Sequence, residues 1–338
     1  MSAGGPVAAS VSVAVTDASR VGEVRRTVAA LCRRAGLDET DTGRADIVVA
    51  EAASNVLKHG GGGEVVVSQL AVGPDSGIEM LALDRGPGIP DVDKALADGH
   101  STPGTRGTGL GAIRRQSSMF DVYSFPGHGT AVLSRLGRAA THSVSLEIGA
   151  VCVAKPGETD CGDVWSLETR PGGVRIVIAD GLGHGPPARE AALIAVRAIL
   201  GRPPGAGRAL EEAHVASRAT RGAAVAVAEM DFAAGEVRYA GFGNIAGVLL
   251  GPERAQSMVS MNGTAGQGIL KPREFTYRFV PGVLFVMSSD GLDPQWSMDT
   301  YPGLASRDPS LVAGVLYRDY SRRHDDVTVV AARLVSRS

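Results

Sequence analysis

The chain has 338 residues, 44% of them apolar and 21% charged, with a formal net charge of -2. That length exceeds one ordinary hydrophobic core and suits two domains. The near-neutral balance gives no overall field to draw in nucleic acid or anionic lipid. Three cysteines, Cys32, Cys152 and Cys161, stand in no metal-binding spacing and suit a reducing cytoplasm. The first ten residues lack a basic stretch followed by an apolar core, and no apolar run approaches the ~20 residues that cross a bilayer. The expectation is a cytoplasmic protein with neither a membrane nor a nucleic acid as partner.

In chain order, Val21, Val24, Val28 and Leu31 recur at steps of three or four and predict a half-buried helix over 21–37. A second helix is expected over 41–59, through Ala45, Val48, Ala52 and Val56, ending where four consecutive glycines stop it. Glu51 and Asn55 lie four apart on this helix and share a face, with Lys58 and His59 one further turn along. An Asn carbonyl oxygen suits Mg²⁺, and a neighbouring carboxylate can orient or deprotonate an attacking hydroxyl. The same pair also describes an ordinary solvated helix face.

Strands over 64–72 and 78–84 read as an antiparallel hairpin across Gly73-Pro74-Asp75-Ser76-Gly77. The second strand ends in Asp84-Arg85-Gly86-Pro87-Gly88, where a buried carboxylate can accept a hydrogen bond from an adenine amino group and glycines let the backbone approach the base. A Gly/Thr/Ser-rich loop over 99–108 leads to Gly107-Thr108-Gly109-Leu110-Gly111 and a helix over 110–119, whose free N–H groups suit phosphate oxygens. Neither the dinucleotide fingerprint nor the Lys-Ser/Thr ending of a P-loop is present. A hairpin over 120–125 and 130–136, around Gly127-His128-Gly129-Thr130, closes this half.

Periodicity is lost over 137–143, which places the domain junction there and divides the chain into 1–137 and 143–338. Beyond it strands are expected at 146–154, 163–168, 174–180, 223–231, 236–240, 246–250, 275–279, 283–289 and 327–334, with helices at 187–200, 207–219 and 311–320. Many strands with helices in separate blocks indicate an α/β sandwich. Asp163, Asp180, Asp290 and Asp325 fall at strand ends. Carboxylates brought to one rim repel unless hard cations hold them, and oxygen-only ligands favour Mg²⁺ or Mn²⁺. Taken singly, each Asp-Gly is most simply a turn.

The three glycine- and acid-bearing clusters of the first half, in this order and followed by Gly127 to Thr130, resemble the GHKL ATPases over about residues 10–136. This family includes histidine kinases and anti-sigma factor serine kinases. Asp84 to Pro90 followed by Ala95 to Thr102 is similar to the pattern of the small RsbT-like switch kinases within it. The resemblance implies an N-terminal GHKL (Bergerat) α/β sandwich that binds ATP and Mg²⁺. By it Glu51 is the base, Asn55 the Mg²⁺ ligand and Asp84 the adenine reader. Gly86 and Gly88 shape the base pocket, Gly107, Gly109 and Gly111 form the phosphate lid, and Thr130 joins the nucleotide site. Relatives with this pocket also work as binding modules, so phosphoryl transfer and nucleotide binding alone both stay open.

The ordered acidic set of the second half, with Thr220-Arg221-Gly222-Ala223 and Gly241-Phe242-Gly243-Asn244, resembles the PPM-type phosphatases of the SpoIIE/RsbX-like branch over residues 143–336. The resemblance implies an α-β-β-α sandwich holding two Mn²⁺ or Mg²⁺ ions. Asp180 would bridge them as the catalytic residue, with the Gly181 carbonyl on one; Asp290 and Asp325 would complete the second site, and Asp163 would act directly or through water. Asp326 is the alternative to Asp325. His184 is either a proton donor or structural, and Asn244 either lines the substrate groove or forms a turn. Together the two likenesses imply a metal-dependent protein serine/threonine phosphatase fused to a serine kinase-like domain. Such a chain would reverse and make the phosphorylation of a STAS-domain antagonist in bacterial partner switching. The alternative is a phosphatase governed by a non-catalytic ATP-sensing or sigma-factor-binding domain.

Overall fold

The structure, a computed structural model, describes residues 7, 9–71, 76–96, 109–137, 142–143, 146–252 and 254–335. Its elements begin with β1 (Val11–Val15), α1 (Ala18–Ala35), α2 (Glu39–Lys58), β2 (Gly63–Ala71), β3 (Gly77–Asp84), α3 (Val92–Leu96), α4 (Gly109–Gln116), β4 (Met119–Ser124) and β5 (Thr130–Gly137). They continue with β6 (His142–Ser143), β7 (Leu146–Val153), β8 (Asp163–Arg170), β9 (Gly173–Gly181), α5 (Gly185–Ile199), α6 (Ala206–Ala216), β10 (Ala223–Asp231) and β11 (Glu236–Phe242). The last are β12 (Ala246–Leu250), β13 (Ala255–Ser257), β14 (Phe275–Arg278), β15 (Leu284–Ser288), α7 (Pro309–Tyr320) and β16 (Val327–Leu334). No helix among the described residues is long and apolar enough to cross a membrane.

The chain forms two compact units. One comprises Ser10–Thr141 with Ser297–Arg318, the other Met1–Ala9, His142–Trp296 and Asp319–Ser338. The segment Ser297–Arg318, expected in the second domain, therefore clusters with the first. Its side chains supply the reason, as described below.

In the first unit an antiparallel sheet of order β1-β2-β3-β5-β4 carries α1 and α2 on one face. The period of two in the strands divides their side chains cleanly. Val65, Val67, Ile78, Met80, Ala82 and Val132 point to a core shared with Val24, Val28, Val48, Ala52 and Val56 of the two helices. Asp17 caps α1 by accepting from the Ser19 N–H at 2.9 Å, and Gly36, at φ 73°, ends it in the left-handed conformation. Asp38 caps α2 by accepting from the Asp41 N–H at 2.7 Å.

The other face of this sheet bears Glu64, Glu79, Leu81, Leu83 and Arg135, all buried. Here α7 packs: a methyl group placed on Gly314 would stand 3.2 Å from Leu81 and 3.3 Å from Leu83. Arg135 donates through Nε to Glu79 at 2.8 Å and through Nη1 and Nη2 to the two oxygens of Asp308, both at 3.0 Å. Ser310 donates to Glu79 at 2.8 Å. Burial pushes the Glu79 carboxyl up, Arg135 opposes this, and Asp308 adds to it. One guanidinium thus satisfies two buried carboxylates, one from β3 and one from the segment that precedes α7.

In the second unit two antiparallel sheets, β14-β11-β10-β9-β8 and β13-β12-β15-β16-β7-β6, face each other. Ile176, Ile178, Ala226 and Tyr239 of one meet Phe285, Met287, Val330 and Ala332 of the other in a shared core. The alternate residues Val177, Ala179, Val225 and Val227 pack outward against Ala192, Val196, Ala209 and Leu210 of α5 and α6.

Two expectations shift. The helix over 110–119 stops at Gln116, because the Ser117 hydroxyl bonds back to the Ile113 carbonyl at 2.7 Å and Ser118 turns to the Arg135 carbonyl, leaving Met119 to start β4. β1 is an added strand, with Val13 opposite Val65 of β2.

Replacing Arg135 by Met leaves Glu79 and Asp308 buried without their cation. Urea unfolding of the full chain should show the first unit's transition lose about 3–5 kcal/mol. A loss below about 1 kcal/mol would mean that the network is solvated and does not hold the segment in place.

Candidate functional site

In the first unit, Asp84 ends β3 opposite Thr130 of β5 and is 8% exposed. Its Oδ1 accepts the backbone N–H groups of Gly86 at 2.9 Å and Thr130 at 3.2 Å. Burial raises the carboxyl, and these two bonds pull it back. Glycines wall it closely. A Cβ on Gly60 would stand 2.4 Å from the Asp84 Cβ, and one on Gly129, which has φ +74°, 2.0 Å from the Asp84 carbonyl oxygen. Gly88, at φ +77°, lies against the Phe125 carbonyl, so any side chain there would meet backbone at 2.4 Å. The Thr130 hydroxyl bonds to Ser124 at 2.9 Å.

α2 and α4 pack together, and Gly109 at the start of α4 brings its Cα hydrogens toward Asn55, whose Oδ1 would lie 3.2 Å from a Cβ there. Glu51 stands half-buried one turn before Asn55, and Gly111 is buried on α4. Gly107 and the loop over 99–108 that contains it lie outside the described residues. These groups fit a nucleotide: a carboxylate with one oxygen held, glycine walls, and an Asn beside the first turn of a helix.

In the second unit the two sheets deliver carboxylates to one rim. Asp163 starts β8 and Asp180 stands directly opposite it near the end of β9. Asp290 follows β15, Asp325 precedes β16, and those two strands are antiparallel neighbours. Burial pushes the Asp180 carboxyl up first, and Asp163, Asp290, Asp325 and Asp326 each push it further. Asp163, 1% exposed, is raised by burial and then by Asp326 and Asp290, against a bond from Ser289. Asp290 is raised by burial and by Asp325, while Arg322, Asn244 and Asp180 lower it.

Three neutral groups hold this rim. Ser289 donates its hydroxyl to Asp163 Oδ2 at 2.6 Å and accepts the Thr328 N–H at 2.8 Å. Asn244 donates to Asp290 Oδ2 at 2.5 Å. Gly181 lets the rim touch α5, since a Cβ on it would lie 1.9 Å from the Ala188 carbonyl oxygen. Asp163 Oδ1 is buried with no hydrogen-bond partner. Among the described residues, no group of three or more His, Cys, Asp or Glu side chains is already closed into a shell for a metal ion. The carboxylates are thus neighbours that raise one another, not preset ligands, and an orphaned buried oxygen with oxygen-only company fits a hard divalent cation.

The doublet separates by what each member touches. Asp326 is 3% exposed and accepts the Lys155 N–H at 2.9 Å, whereas Asp325 is half-buried and stands among the charges acting on both Asp180 and Asp290. His184 precedes α5, exposed, with Nδ1 2.6 Å from Glu158 Oε1. Glu158 and Ser289 escaped the sequence reading. Glu158 sits in a polar turn with no period, and Ser289 gave no signal beyond its place beside Asp290.

Residues 14–135 match the histidine kinase-like ATPase domain family, and residues 170–335, a span that includes the 297–318 segment clustered with the first unit, match stage II sporulation protein E. The serine/threonine-protein kinase RsbT of Bacillus subtilis (strain 168) is 33% identical over 102 residues, which are 30% of this chain and 77% of that protein. The chain belongs, through its first unit, to the histidine kinase-like ATPase family. Among solved structures, a chain reported from the bacterial stressosome, a modular system adapted to control secondary messenger signalling, is 28% identical. It covers 56% of this chain and 99% of its own, with a TM-score of 0.52. The RsbU and RsbW domains of a Mycobacterium tuberculosis protein match at 21% identity over 57% of this chain and 61% of theirs, with a TM-score of 0.48.

Gly181→Ala forces a methyl group into the backbone of α5. Thermal and urea unfolding should show the second unit destabilised by at least about 1–3 kcal/mol. Unchanged unfolding would show that the rim does not rest on that helix.

Proposed function

We propose that the second unit is a metal-dependent protein serine/threonine phosphatase. The observation that carries this reading is the gathering of Asp163, Asp180, Asp290 and Asp325 at one rim of a SpoIIE domain. Divalent cations, Mn²⁺ or Mg²⁺, would supply Lewis-acid activation of water and charge neutralisation at the phosphoryl group when bound. Asp180, the Gly181 carbonyl, Asp290 and Asp325 would hold these cations. Asp163, oriented by Ser289, would join them directly or through water. Asp290 is oriented by Asn244. Glu158 accepts from the Nδ1–H of His184, and the imidazolium form of that ring, with a second proton on Nε2, would give that proton to the departing serine oxygen.

The first unit, on this reading, binds ATP with Mg²⁺. Asp84 accepts from the adenine amino group, Gly86 and Gly88 shape the base pocket and Thr130 supports it. Asn55 ligates Mg²⁺, Gly107, Gly109 and Gly111 close over the phosphates, and Glu51 acts as base toward a protein hydroxyl. The partner is a STAS-domain antagonist, made phosphorylated by one unit and dephosphorylated by the other, in a bacterial partner-switching pathway. The 33% identity with a serine/threonine-protein kinase supports transfer over binding alone. Opposed activities running together would only hydrolyse ATP, so the two must be favoured at different times.

Phosphate release from a phosphorylated STAS protein should require added Mn²⁺ or Mg²⁺, vanish with chelator, and fall on the order of 100-fold or more in Asp180→Asn. Metal-independent release would remove the phosphatase assignment. In that same Asp180→Asn background, labelled ATP should mark the STAS protein, and Glu51→Ala should abolish the label while ATP still binds. Absence of label in the Asp180→Asn chain, with ATP bound, would leave the unit as a nucleotide sensor or a sigma-factor-binding module.

A further inference from the structure

The strand end that carries Asp84 is held in part by residues that the first half of the sequence does not encode. The segment Ser297–Arg318 belongs to the same compact unit as Asp84 and crosses the face of the sheet opposite α1 and α2. It is tied down strand by strand. Asp308 N–H donates to Asp121 of β4 at 3.0 Å, Arg135 of β5 holds Asp308, and Ser310 donates to Glu79 of β3. Tyr317 OH donates to Glu64 of β2 at 2.7 Å. The last tie reaches the pocket itself. Arg318, only 2% exposed, donates from Nη1 to the main-chain carbonyl of Asp84 at 2.8 Å, across a sequence separation of 234 residues. Arg85, the next residue of that strand end, returns a guanidinium bond to the Arg318 carbonyl.

Asp84 is therefore fixed at two points. Its carboxylate Oδ1 is clipped by Gly86 and Thr130, and its peptide carbonyl is clipped by Arg318. A carboxylate that reads an adenine amino group must present its remaining oxygen at hydrogen-bonding distance and angle, and a 1 Å misplacement can cost on the order of 100-fold. The strand ends at Asp84, so the regular ladder no longer fixes the peptide beyond it, and a buried guanidinium is well suited to hold a carbonyl there.

We propose that Arg318 is a positioning residue of the nucleotide site, so that adenine recognition by the first unit depends on a segment encoded between β15 and β16 of the phosphatase sequence. The proposal rests on the reading of Asp84 as the adenine-binding carboxylate. It makes the site discontinuous in sequence: residues 10–141 carry the groups that would touch the nucleotide and the ladder pairs of Asp84 with Gly63 and Thr130, but not the guanidinium on its carbonyl.

Calorimetric titration of the full chain with ATP and with GTP, in Mg²⁺, tests this. Arg318→Met should weaken ATP roughly tenfold, the scale of one buried hydrogen bond to a charged group. It should also flatten the preference of the wild type for ATP over GTP, because a displaced carboxylate no longer selects the adenine amino group. Arg318→Lys, whose ammonium can donate to the same carbonyl, should restore the preference. Arg318→Met with wild-type affinity and preference overturns the proposal. So does weakened binding with the ATP preference intact, which would mark Arg318 as a packing residue. If Arg318→Met melts below the temperature of measurement, Arg318→Gln is titrated against the same two outcomes. A wild-type chain that binds no ATP would instead remove the nucleotide reading on which the proposal stands.

Discussion

Crowded negative charge at one rim of the second unit is the constraint on which its remaining features depend. Asp163 and Asp180 face each other in an antiparallel strand pair, an arrangement that is unfavourable for like charges left to themselves. Asp290 and Asp325 arrive from the second sheet at neighbouring strand ends. Burial and mutual repulsion both push the Asp180 carboxyl upward. Ser289 and Asn244 each donate one hydrogen bond to these carboxylates, Arg322 eases the charge on Asp290, and Asp326, which accepts the Lys155 N–H, still adds to the charge on Asp163 and Asp180. Carboxylates crowded in this way repel one another, and divalent cations bound among them would relieve that repulsion.

The first unit solves a different problem. Its sheet buries apolar side chains on one face beneath α1 and α2, but on the other face it places Glu64, Glu79 and Arg135 where water does not reach. Arg135 and Glu79 pair with each other and Ser12 donates to Glu64, while Asp308, Ser310 and Tyr317, all from the segment that includes α7, supply further partners to these charges. Every residue from Pro309 to Arg318 is buried, which describes a helix that is internal and not a surface amphipath. In the chain, this helix lies between two of the acidic residues of the rim, Asp290 and Asp325. Sequence order and structural membership therefore part company at α7.

Most of the secondary structure was legible because its signals are local. The period of three to four in α1 and α2, the glycines after α2 and the aliphatic runs of β9, β10 and β16 each specify their own element. The rim was legible as a set of Asp residues at strand ends, since apolar strands end in carboxylates for few reasons. β1 was not, because a five-residue strand with one exposed valine at its start carries little signal outside its pairing with β2. The allegiance of residues 297–318 was not legible either, because it depends on Glu79 and Arg135 being buried, and buried charges look like exposed ones in a sequence. Asp325 and Asp326 look alike as a doublet in the sequence; the structure gives the Lys155 N–H to Asp326.

The most direct test of the account is calorimetric titration of Mn²⁺ into the metal-free chain, compared with Asp180→Asn. The account predicts saturable uptake approaching about two ions per chain, with at least one lost in the variant. Absence of saturable uptake, or uptake indifferent to Asp180→Asn, would contradict it.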